Sequence, residues 1–110
     1  MVTAYEVVHP SGAPSYALHV VCGGKVVAYS GDTEWTDALI QAACGADLFI
    51  CNCYFFDKGS WYHLDYQTLM EYRTELECHK IVLIHMNDEM LHRIQSLDIE
   101  GVEDGKNFVL

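Results

Sequence analysis

The stretch Ala28–Tyr29–Ser30–Gly31–Asp32–Thr33 reads as a strand that stops at Gly-Asp-Thr, with Thr33 as the N-cap of a following helix. Asp32 at such a strand end would sit on the rim of a sheet, where α/β proteins bind ligands and metals. The tripeptide alone says little, because Asp after Gly is also common in plain turns and caps. Its weight comes from the rest of the chain. A second apolar strand, Lys80–Ile81–Val82–Leu83–Ile84, runs into His85. His63 stands before a helix, and His9 ends an early apolar run. A carboxylate and several histidines at strand ends form the usual ligand set for zinc, manganese or iron.

Working outward, Val2–His9 is apolar and β-branched and predicts a strand. Pro10–Pro14 is a loop. Tyr16–Cys22 and Lys25–Ser30 flank Gly23–Gly24, a hairpin signal. The helix after Thr33 is expected to carry Trp35, Leu39, Ala42 and Ala43 on one face and to stop near Gly45. Asp47–Cys51 is short and almost wholly apolar, which predicts a strand covered on both faces. Tyr54–His63 is an aromatic-rich loop. Asp65 caps a helix with Leu69, Tyr72 and Leu76, and Asn87 caps another with Met90, Leu91 and Ile94. A closing pair of strands is expected over Ile99–Leu110, turning at Asp104–Gly105. Alternating strands and helices predict one layered α/β domain spanning residues 1–110.

Composition excludes several functions. The 110 residues carry 16 acids against 6 Lys and Arg, a net charge of −10. Lys25, Lys58, Arg73, Lys80, Arg93 and Lys106 are scattered, so neither a nucleic-acid backbone nor an anionic membrane is an expected partner. No apolar run reaches the roughly 20 residues a membrane helix needs. Five cysteines (Cys22, Cys44, Cys51, Cys53 and Cys78) make an odd count with no leader peptide in front, which predicts a cytoplasmic protein with reduced thiols. Cys51 and Cys53 would share one strand face, but without a second Cys pair they read as small core residues.

Four segments then fall into a familiar order: Tyr29–Ser30–Gly31–Asp32–Thr33, Gly45–Ala46–Asp47–Leu48–Phe49–Ile50, His63–Leu64–Asp65–Tyr66–Gln67–Thr68–Leu69 and Ile81–Val82–Leu83–Ile84–His85–Met86. Together with the opening Val7–Val8–His9–Pro10–Ser11–Gly12–Ala13–Pro14–Ser15, they resemble the C-terminal half of the metallo-β-lactamase superfamily. The likeness is to small metal-dependent hydrolases related to the tRNA 3′-processing ribonuclease and to cyclic-nucleotide phosphodiesterases. It covers essentially the whole chain.

The resemblance implies half of a four-layer αβ/βα sandwich, a mixed sheet with helices on one face. It implies His9 and His85 as metal ligands, Asp32 as the carboxylate bridging two cations, and His63 as a histidine that contacts the scissile phosphate and moves a proton. The cofactor it implies is a divalent metal, zinc first, with manganese or iron as alternatives. Paired cations stabilise the leaving oxygen and lower the pKa of water.

Two departures shape the expectation. The superfamily's His-x-His-x-Asp-His motif supplies most ligands, and no His-x-His occurs in these 110 residues. Asn52 stands where relatives commonly carry Glu. A third point concerns substrate. The tRNA-processing branch has a long tRNA-gripping insertion between the His9-type motif and Gly-Asp-Thr, and here a two-glycine turn occupies that interval. A small phosphodiester or other small ester is the expected substrate class.

The chain is therefore expected to need a partner: a missing N-terminal half, or a second copy in a homodimer. Two functions follow. One is a hydrolase half that is inactive until completed. The other is a non-catalytic dimeric binding module retaining a partial metal site. Plainer readings stand beside each residue: a turn Asp for Asp32, a hydrogen-bonded strand-end imidazole for His85, a loop-stabilising one for His9, and a solvated loop residue for His63. His19 is expected on a solvated face. His79 and His92 match no motif. Tyr54, Phe55, Phe56, Trp61 and Tyr62 read as packing residues or as a pocket lining.

Overall fold

A computed structural model describes residues 1–8, 14–57 and 63–102. Its strands are β1 (Val2–Val7), β2 (Ser15–Cys22), β3 (Lys25–Tyr29), β4 (Leu48–Asn52), β5 (Ile81–Ile84) and β6 (Glu100–Gly101). Its helices are α1 (Ala38–Ala43), α2 (Tyr66–Tyr72) and α3 (Asp88–Arg93), the last two each tightening into a short 3₁₀ turn. The strands form one sheet in sequence order. β1, β2 and β3 pair antiparallel; β3, β4, β5 and β6 pair parallel. The sheet is mixed, as expected.

Local chemistry accounts for the elements. Gly23 and Gly24 both take positive φ, which closes β2 onto β3. The Asp65 carboxylate accepts from Thr68 N–H at 2.9 Å, and Asn87 Oδ1 accepts from Met90 N–H at 2.9 Å, so both predicted caps are in place. Gly45, also at positive φ, follows α1.

Each parallel crossover steps one strand further in the same direction. Right-handed connections then put α1, α2 and α3 on the same face. Ala28, Phe49 and Ile81 lie in register across β3, β4 and β5. They share one buried cluster with Ala17, Cys51, Leu83, Leu39, Leu69 and Met90. Fully buried Ala17, Ala28, Ala42 and Ala43 let α1 lie close on the sheet. Phe49, Leu69 and Leu83, each wholly buried, contribute about 1.5–3 kcal/mol apiece.

The opposite face is apolar too. Val20, Val27 and Leu48 form one row across it, and Leu18, Tyr29, Ile50 and Val82 the next. Leu48 and Val82 are buried but lie outside the helix-side cluster, while Leu18, Val20, Val27 and Ile50 keep partial exposure.

Several expectations need correction. Thr33 does not cap α1, which starts at Ala38 with Asp37 at the N-cap and no side-chain cap bond. The Thr33 hydroxyl is instead used by Val8 and Glu34. Trp35 consequently precedes the helix and stacks on Tyr72, with ring centroids 4.2 Å apart. His19 is not solvated: it is half-buried on the α1 side, and its Nδ1–H donates to Ala42 O at 2.8 Å. The closing strand pair is represented by the two residues of β6; the expected turn at Asp104–Gly105 lies outside the described residues, as do Trp61 and Tyr62. Among the described residues no helix is long and apolar enough to cross a membrane.

Candidate metal centre

Because β3, β4 and β5 run parallel, their C-terminal ends emerge at one edge of the sheet. Asp32 follows β3, Asn52 ends β4, and His85 follows β5 at once. This is the rim where open α/β sheets bind ligands.

Asp32 is exposed, and its backbone is fixed from both sides. Gly31 before it has φ of 68°, and a Cβ there would meet Tyr16 O at 2.5 Å, so only glycine fits. Thr33 after it is buried. Its Oγ1 accepts from Val8 N–H at 3.0 Å and donates to Glu34 O at 2.7 Å, while Glu34 N–H donates to Val8 O at 3.2 Å. The residue immediately before His9 is thereby tied to the residues immediately after Asp32. His9 itself lies outside the described residues.

The Asp32 carboxylate accepts a hydrogen bond from Asn52 Nδ2. The same amide lies 3.3 Å from the Tyr29 hydroxyl. Asn52 N–H donates to Ser30 Oγ at 2.9 Å, and that hydroxyl donates to Gly31 O at 2.8 Å. Asn52 is 7% exposed, and its Oδ1 is buried without a hydrogen-bond partner. Asn52 thus orients the carboxylate through a neutral donor, where a second carboxylate would repel it.

His85 is exposed and takes φ of 55°, the one non-glycine positive φ among the described residues. A left-handed conformation outside glycine costs about 1–3 kcal/mol, and such strain clusters at functional sites. His63, half-exposed, lies before Leu64 in the segment leading to α2. The Tyr54 ring centroid is 5.2 Å from His63 and 5.5 Å from His85, so both imidazoles lie beside one phenol ring. Phe55 packs edge-on against Tyr54 at 4.7 Å.

The structure therefore pairs Asp32 with Asn52, and His63 with His85 through Tyr54. Among the described residues no three His, Cys, Asp or Glu side chains gather closely enough to hold a metal ion. The donors have the right chemistry for zinc, a carboxylate and an imidazole, but the described residues do not complete a coordination shell. Asn52 and Tyr54 as supports of the site were not foreseen as such; the sequence signal was the residue type at the end of β4. Cys51 and Cys53 are buried core thiols, as expected. Burial pushes Cys51 up to about 12 and raises Cys53 as well, with the neighbouring Cys51 and Asp65 charges adding to it. A cleft of about 290 Å³ lined by Arg73, His79, Lys80 and Glu100 opens at the other end of β5, remote from this rim.

The fold is the metallo-β-lactamase fold, of which the chain carries part. The metallo-β-lactamase fold protein YhfI from Bacillus subtilis superposes over 91% of this chain with a TM-score of 0.71 at 21% identity. The short form of human tRNase Z does so over 96% with 0.72 at 20% identity, and zinc-bound PqqB from Methylobacterium extorquens over 99% with 0.70 at 15% identity. In sequence, the chain is 33% identical over 90 residues, 81% of its length, to the anti-Pycsar protein Apyc1 of Bacillus phage 010DV004. No family model matches. The chain spans 34% of Apyc1 and 45%, 41% and 47% of the three solved structures in turn.

Proposed function

We propose that this chain supplies one half of the site of a metal-dependent hydrolase acting on a phosphodiester or another small ester. The observation that carries the reading is the strand-end rim itself: Asp32 held by Asn52 after β3, and His85 held at positive φ after β5. Asp32 and His85 would hold a divalent cation, zinc first by donor type, and His9 would join them directly after the anchored Val8. Such a cation would supply Lewis-acid stabilisation and an activated water. His63, held beside Tyr54, would contact the ester and carry a proton to or from its oxygen. The acidic balance and the two-residue turn between β2 and β3 favour a small substrate over an RNA.

The remaining ligands would come from a second segment or chain carrying the His-x-His-x-Asp-His motif. Its seat would be the sheet face opposite the described helices, whose Leu18, Val20, Val27 and Ile50 stay partly exposed. The same face supports the second reading, a homodimer that buries it by self-association and keeps a partial metal site.

The deciding experiment is hydrolysis of a generic aryl phosphodiester with zinc or manganese, with and without a supplied N-terminal half. Turnover only in the completed complex, lost in Asp32→Asn, supports the reading. No turnover in either case from a folded sample sinks it. A dimer in light scattering with no turnover favours the binding module.

A further inference from the structure

We infer that Tyr54 is the positioning residue that fixes His63 and His85 relative to each other. The inference rests on the site reading above and names the group that unites its two histidine-bearing segments. Two independent sets of contacts carry it.

The first is backbone. Cys53 N–H donates to Ile84 O at 3.0 Å, and Asn87 N–H donates to Tyr54 O at 2.9 Å. These bonds bracket His85 from the residue before it to the N-cap of α3 behind it. Tyr54 N–H donates to Leu64 O at 3.1 Å, next to His63. Tyr66 N–H and Gln67 N–H then donate to Phe55 O and Phe56 O at 2.9 and 3.1 Å, closing this stretch onto the start of α2. One residue thus binds the main chain on both sides of the site.

The second is the side chain. The Tyr54 ring lies against both imidazoles at nearly equal distance, 5.2 and 5.5 Å, and at similar tilts of 34° and 38°. Phe55 packs at 85° to the Tyr54 ring and 6.1 Å from His63, which limits the directions in which the ring can turn. Aromatic pairs at such separations attract one another beyond what their buried area provides. The exposed His85 imidazole has several staggered rotamers open to it, and a packed ring beside it narrows that choice. A ring packed beside both restrains both at once, and links a group suited to bind a cation with a group suited to contact substrate.

Substitution at this position is clean in principle, since both backbone bonds of Tyr54 survive any non-proline residue. The test uses the full chain as Tyr54→Phe and Tyr54→Leu. Relaxation of the His63 and His85 ring carbons is measured without metal, and zinc affinity is measured by competition. In Tyr54→Leu the ring order of both histidines is expected to drop and zinc affinity to fall about tenfold. Tyr54→Phe restores both, because the ring and not the hydroxyl does the holding. Wild-type ring order in Tyr54→Leu overturns the inference, as does failure of Tyr54→Phe to restore it. If Tyr54→Leu does not fold, nuclear Overhauser contacts decide: contacts from the Tyr54 ring to both imidazoles in wild type and from the new ring in Tyr54→Phe sustain the inference, and their absence overturns it. A wild-type chain that binds no zinc sinks the metal reading instead, while the ring measurements still judge Tyr54.

Discussion

The side-chain amide of Asn52, at the end of β4, donates to the carboxylate of Asp32, in the loop after β3, and does so from a site only 7% exposed. A carboxylate at position 52 would face Asp32 with like charge inside that pocket. Asn52→Asp is therefore expected to destabilise the chain by more than about 2 kcal/mol at pH 7. The introduced carboxyl would have a folded pKa above its unfolded value near 4. The deficit is thus largest at neutral pH and shrinks as pH falls toward that value. Urea unfolding of both proteins at pH 7 and pH 5 checks the sign; an equal deficit at both pH values would contradict it.

His85 separates stability from function. Its φ of 55° suits glycine, so His85→Gly should stabilise the fold by about 0.5–1 kcal/mol while removing an imidazole from the rim. A thermal scan should show a raised midpoint, and zinc titration a weakened site. A lowered midpoint would mean that the imidazole's contact with Tyr54 outweighs the backbone strain.

Gly31 should be far less tolerant than the hairpin glycines. Gly31→Ala sets a Cβ 2.5 Å from Tyr16 O as well as forcing a positive φ, and a loss of about 2–4 kcal/mol is expected. Gly23→Ala meets nothing within 4 Å and should cost about 1 kcal/mol, the conformational share alone. Urea midpoints of the two variants give the comparison.

Thiol labelling at pH 8 should modify exposed Cys22 and Cys44 quickly and leave Cys51 and Cys53 unreacted until the chain is unfolded. Cys51 is held neutral up to about 12 against an ordinary value of 9.0. Its contribution is complete below pH 9 and is lost as pH rises from 9 toward 12, so stability should decline across that interval. In Cys51→Ala this part of the decline should be reduced.

Much of this was legible beforehand because the signals were local. The Gly23–Gly24 turn, the Asp65 and Asn87 caps and the apolar β4 and β5 each depend on a few adjacent residues, and each formed within a residue or two of its expected place. Thr33 misled because its hydroxyl met Val8, a partner remote in sequence, before it could meet a helix N-terminus. His19 misled because alternation along β2 does not say which face a helix will cover. The roles of Asn52 and Tyr54 arise from contacts across strands and loops, which spacing alone does not encode. Asp32 and His85 stand where the strand ends predicted them; the task proposed for them with His9 and His63 rests on resemblance.

The sheet adds its strands in the order in which they are translated, each pairing with the one just before it. Every strand's partner is therefore its neighbour along the chain, and no pairing has to close a loop around an intervening strand. Such an assembly grows from one margin only.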